Sequence, residues 1–165
     1  MSGLDAREFL AEVIRPTLGV LSRVEPRINA APALPLLLGT ALHESMGLVH
    51  MRQVRGPARS LFQIEPPTFT DVWTWASHKP ALFEALRSLA LPSLSPLDQY
   101  AGNQHLACAI ARLCYFRHSD PLPSADDATS MAAYHKRWFN TPAGAADPLE
   151  TVKSFRAAIA ICKGN

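Results

Sequence analysis

Glu44 is the residue whose setting first suggests chemistry. Leu37, Ala41 and Glu44 follow one another at i, i+4 and i+7, which puts the carboxylate on the apolar face of a helix, near its C-terminal end. Apolar surroundings strip hydration from the charged form, and the negative end of the helix dipole repels an anion. Both effects favour the neutral acid, the form a general acid needs near neutral pH. Position alone also fits a glutamate at a frayed helix end that faces water, and by periodicity alone that plainer reading stands ahead.

The surrounding residues change the balance. Ala41-Leu42-His43-Glu44-Ser45 is followed by a polar stretch and then by Ser60-Leu61-Phe62-Gln63, Pro66-Pro67-Thr68 and, much later, Ala132-Ala133-Tyr134-His135. This order resembles the soluble lytic transglycosylase family, within the lysozyme-like superfamily, and looks particularly like its phage-encoded relatives. There a Glu-Ser pair ends a helix, a Gly-Leu-Met-Gln run and a Pro-x-Thr follow, and an Ala-Ala-Tyr-Asn stretch comes later. Asn103, with Ala107 four positions on, matches a further family feature, an Asn heading a long helix. The plainer role for Asn103 is a buried amide bonded for structural reasons, since it lies on the stripe Leu106, Ala107, Ile110 and Cys114. The resemblance spans residues 34–139 in separated blocks. It departs from the family at Ser60, which replaces a glycine, at His135, which replaces an amide, and at Gly47.

The resemblance implies cleavage of the bond between N-acetylmuramic acid and N-acetylglucosamine in peptidoglycan, with Glu44 as the acid and base. Glu44 would protonate the glycosidic oxygen. Its carboxylate would then take the proton of the muramoyl C6 hydroxyl, which closes a 1,6-anhydro ring. Positioning supplies much of such a reaction, because the nucleophile belongs to the substrate. Tyr134 is implied as the hydroxyl that bonds and orients Glu44. Ser45, Ser60, Phe62, Gln63, Asn103 and His135 are implied as substrate contacts. Tyr134 as a core aromatic and Ser45 as a helix-end residue bonding backbone are the structural alternatives. Phe69, Trp73 and Trp75 could stack on sugars, although most such aromatics are core.

A hydrolytic muramidase is the nearest alternative. It would need a second carboxylate, roughly 5–5.5 Å from Glu44 for a retaining enzyme or 6.5–9.5 Å for an inverting one, and Glu65 and Asp71 are the acids to test. A further alternative is a non-catalytic phage structural or wall-binding protein.

The elements that must hold these residues read as helices. Ser2 to Asp5 has capping-box spacing ahead of Leu10, Ile14, Leu18 and Leu21, with Pro16 set to kink or split that helix. Pro35 suits the first turn of the helix that carries Glu44, and Pro66, Pro80, Pro96 and Pro148 each suit a helix start. Ser95-Pro96-Leu97-Asp98 is expected to head one helix of about 20 residues, to Arg117. Residues 126–139 and a C-terminal segment through Val152, Phe155, Ile159 and Cys162 complete the set. The expected fold is a single, mainly α, lysozyme-like domain over residues 1–165, with at most a small hairpin or irregular region near 48–63.

Composition sets the limits. A length of 165 residues with 48% hydrophobic and 18% charged content suits one globular domain. The 16 Lys and Arg are scattered and offset by 14 Asp and Glu, which speaks against a nucleic-acid partner. Cys108 and Cys114 sit six residues apart on one expected helix, about 9 Å in rise, too far for a disulfide. With Cys162 they lack zinc-ligand spacing and read as reduced core thiols, so neither metal nor cofactor is expected. No segment has the length of a membrane span, and Asp5, Arg7 and Glu8 stand where a signal peptide needs apolar residues. The expectation is synthesis in the cytoplasm and action on the cell wall after release, or within a virion, with virion or lysis proteins as partners.

Overall fold

The structure is a computed structural model and describes residues 3–139 and 148–164. The architecture is mainly helical, as expected. α1 (Ala6–Phe9) continues through a π-helical segment (Leu10–Ile14) into α2 (Arg15–Ser22), and a 3-10 turn (Pro26–Asn29) leads to α3 (Ala33–Glu44). After an irregular stretch come α4 (Pro66–Ser77), α5 (Pro80–Arg87), the single turn α6 (Pro96–Gln99) and α7 (Gln104–Phe116). α8 (Ala128–Trp138) and α9 (Pro148–Lys163) close the chain. Among the described residues no helix is long and apolar enough to cross a membrane.

Local chemistry explains most boundaries. Asp5 caps α1, taking the N–H groups of Arg7 and Glu8 on its carboxylate, while Ser2 lies outside the described residues. Pro16 does not break the helix. Its ring would collide with a regular turn before it, and the wider π segment just upstream accommodates that strain. The expected helix from Ser95 to Arg117 is a correction: it is two helices. Ser95 caps α6, but the turn ends at Gln99, and the chain re-enters a helix at Gln104. Tyr100, fully buried, donates its hydroxyl to the Ile64 carbonyl and pulls the backbone off the helix axis. Asn103 then caps α7, accepting from the Leu106 N–H while its amide nitrogen donates to Leu89 O and Gln99 Oε1. Asn103 is therefore a structural cap, and the substrate-binding role implied for it is not supported.

α3 is the central helix. Leu36, Leu37, Leu38, Gly39, Thr40 and Ala41 are all buried, so it is enclosed around its circumference by α7, α8, α9 and the π segment. Gly39 is what lets α9 approach. A Cβ there would lie 2.2 Å from Cδ1 of the buried Phe155. The sequence pattern had suggested a one-sided apolar stripe, and the helix is apolar on nearly all sides because it is the core. Cys108 and Cys114 are buried on α7, where desolvation pushes both thiols up to about 12, and Cys162 is half-buried on α9.

Between α3 and α4 the chain is irregular. Among the described residues, β structure is confined to single antiparallel bridges that join Arg52 to Arg59 and Arg59 to Ile64. Met46, Leu48, Arg55, Ser60 and Gln63 all have left-handed backbone conformations. Ser60, at φ 68°, keeps the conformation that a glycine would adopt there, at a cost of about 1–2 kcal/mol.

Candidate functional site

Glu44 is the last residue of α3, and the way that helix ends fixes it. The Gly47 N–H bonds the Leu42 carbonyl and the Met46 N–H bonds that of His43, a Schellman closure with Met46 at φ 54° in the position glycine usually takes. Ser45 Oγ donates to the Ala41 carbonyl at 2.6 Å and accepts from the Leu48 N–H at 2.8 Å. Ser45 is wholly buried, so it clamps the helix end and cannot meet a ligand.

The group beside Glu44 is His135 of α8. Its Nε2 lies 3.0 Å from Glu44 Oε1, with the imidazole 1% exposed and the glutamate side chain 19% exposed. The approach is close but off the line of a ring N–H, so neither atom has a well-formed hydrogen bond. Behind the imidazole runs a buried chain. His135 Nδ1 and Tyr115 Oη are 2.8 Å apart, Tyr115 Oη and Thr40 Oγ1 are 2.7 Å apart, and Thr40 Oγ1 donates to the Leu36 carbonyl at 2.8 Å.

The direction of this chain follows from counting protons. Thr40 has one hydroxyl hydrogen and gives it to Leu36 O, so Tyr115 must donate to Thr40. Tyr115 Oη then accepts, and His135 Nδ1 carries the hydrogen. In neutral His135 the Nε2 atom therefore carries no hydrogen, and it lies 3.0 Å from Glu44 Oε1. Burial pushes the Tyr115 hydroxyl well above its usual range, with Glu44 adding to the rise, so Tyr115 stays a neutral donor and acceptor. His43 stands edge-on to His135 with ring centroids 5.5 Å apart, and burial lowers its pKa below that of a free imidazole.

Sequence reading had put Tyr134 in the place that His135 holds. The Tyr134 hydroxyl donates instead to the Asp120 carbonyl at 3.1 Å, and its ring stacks on Tyr115 at 5.7 Å. Adjacent residues on a helix point about 100° apart, so if residue 135 faces Glu44, residue 134 cannot. Tyr134→Phe should accordingly cost about 0.5–1.5 kcal/mol of stability and leave any Glu44-dependent activity near wild type. A loss of activity without loss of fold would restore Tyr134 to the site.

The other implied contacts are mostly structural. Phe62 is fully buried and packs on Phe9 at 6.0 Å, so it offers no face to a sugar. Ser60 is buried, its Oγ accepting the Phe62 N–H. Gln63 donates through Nε2 to the carbonyls of His50 and Ser60, tying the loop together. His135 is near the acid, but its burial makes it a partner of Glu44 and not a substrate contact. Phe69 is core, stacked on Tyr100 at 4.6 Å and on Trp73 at 5.8 Å. The concave regions at Trp73, Arg87 and Leu91 and at Leu34, Ser124 and Ile159 include none of Glu44, Gln63 and Tyr134.

Thr40, Tyr115 and His43 escaped the sequence reading. One signal was present for Thr40, a hydroxyl four residues before Glu44 inside an otherwise apolar helix. Nothing in the spacing of α7 marks Tyr115. No family model, characterised protein or solved structure matches this chain.

Proposed function

We propose that this protein cleaves the glycan strands of peptidoglycan as a lytic transglycosylase, with Glu44 as the single acid and base. The observation that carries the reading is the Glu44–His135 pair: a half-buried carboxyl at the end of a buried helix, one oxygen of which lies 3.0 Å from an imidazole whose other nitrogen is held. Such a pair can release a proton to a glycosidic oxygen and take one back from a hydroxyl without moving the surrounding groups. His135 acts as a positioning residue. It fixes Oε1, which is buried, so the solvent-reaching part of Glu44 lies elsewhere on the side chain.

A mechanism with one carboxylate, in place of hydrolysis, rests on the family resemblance. Asp71 is ion-paired with Arg117 at the end of α7. Glu65 is exposed at the start of α4 and makes no capping bond. The lysozyme-like fold, the phage setting and a route to the wall through a lysis lesion or a virion belong to the same proposal. Digestion of purified murein sacculi tests it. Released muropeptides are expected to be lighter by one water than those from a hydrolase, and to lack a reducible muramic end. Reducing-end products would turn the assignment to a hydrolytic muramidase.

A further inference from the structure

Glu44 Oε1 and His135 Nε2 are buried and lack a well-formed hydrogen bond, which leaves two polar atoms unsatisfied. They face the same small space. A ring nitrogen of His43 joins them, and the three ligand-capable atoms lie within 4.8 Å of one another. Two imidazoles and one carboxylate make a donor set for a borderline divalent cation, zinc above all.

The surroundings suit a ligand as well as the donors do. The hydrogen-bond chain through Tyr115 and Thr40 puts the hydrogen of His135 on Nδ1 and leaves the Nε2 lone pair free to ligate. A ligating imidazole typically gives its second N–H to such an acceptor, which fixes its tautomer and ring plane. Tetrahedral zinc with bonds of 2.0–2.1 Å holds its ligand atoms about 3.3 Å apart. The 3.0 Å separation of Glu44 and His135 is close to one edge of that tetrahedron. His43 and Glu44 are each half-buried, and His135 is buried.

We propose that His43, Glu44 and His135 bind one divalent zinc ion. This departs from the sequence expectation of no metal. Because the ion takes Glu44 Oε1, it also blocks proton donation; that consequence rests on the transglycosylase reading and makes zinc a reversible inhibitor.

The test is titration of the full chain with zinc chloride against a chromophoric chelator, with cobalt(II) absorption as a second readout and circular dichroism to confirm folding. One equivalent should bind to wild type and to Cys162→Ser alike. His43→Gln and His135→Gln should each weaken binding at least about tenfold, and Tyr115→Phe by about 10–100-fold through loss of the acceptor at Nδ1. His43 is only half-buried, so His43→Gln keeps the test open if His135→Gln does not fold. Absence of stoichiometric zinc, unchanged affinity in folded His43→Gln, or a cobalt–thiolate band would overturn the site. Binding as described with glycan cleavage indifferent to zinc would uphold the site and remove Glu44 as the proton donor.

Discussion

Glu44→Gln is expected to fold like wild type and to lose lysis of permeabilised cells by about 10²–10⁴-fold, the usual worth of a general acid and base. That factor corresponds to about 3–5 kcal/mol of transition-state stabilisation. The fold should survive because glutamine keeps the volume of the glutamate side chain. The α3 terminus should also hold, since its closure depends on Met46, Gly47 and Ser45 and not on the Glu44 side chain. What disappears is the transferable proton. The measurements are turbidity clearing at matched protein concentration and thermal unfolding of the same preparations. A folded Glu44→Gln protein that clears cells at near wild-type rate would remove Glu44 from the mechanism, and the non-catalytic wall-binding reading would then lead.

The largest stability effect is expected at the contact of α3 with α9. Phe155 is fully buried, lies against Gly39 and sits 5.6 Å from the His135 ring. Phe155→Ala should cost about 3–5 kcal/mol through lost transfer energy and the cavity left behind, lowering Tm by on the order of 10 °C in a domain of this size. Gly39→Ala poses a contest between two terms. Alanine gains about 1 kcal/mol over glycine in a helix interior. Against this, the new methyl would sit 2.2 Å from a ring enclosed on all sides, and overpacking costs about 1–3 kcal/mol. The steric term should win in the wild-type background. With Phe155→Ala present the space is open, and Gly39→Ala should become stabilising. Urea unfolding of the four proteins in a double-mutant cycle reads this reversal of sign. Stabilisation by Gly39→Ala in both backgrounds would show that α9 does not press on Gly39.

The same contact bears on the site. α9 packs against both α3 and α8, the helices that carry Glu44 and His135. Loosening it should reduce activity in step with stability, whereas Glu44→Gln separates the two.

Much of the framework was legible in the residues. Pro66, Pro80, Pro96 and Pro148 each open a helix, because a missing N–H and a fixed φ suit the first turn and little else. The mainly helical class and the irregular stretch after Glu44 follow from local periodicity and its interruption. Glu44 itself stood out because its position depends only on the register of one helix. Tertiary structure decided the rest. Whether Gln99 and Gln104 belong to one helix turned on the Tyr100 hydroxyl reaching Ile64 from 36 residues away. Capping signals at Ser95 could not reveal that. Whether Ser45, Ser60 and Gln63 face a ligand or the backbone turned on loop closure by long-range and left-handed conformations, which spacing does not encode. The partner of Glu44 was settled by the rotation of α8 about its axis. One residue of register exchanges Tyr134 for His135, and only packing against α3 and α9 sets that angle. The chain from His135 through Tyr115 to Thr40 joins three helices, so no local pattern contains it. Local sequence determines which segments coil and where they stop; which side chains meet is determined by how the coils are packed.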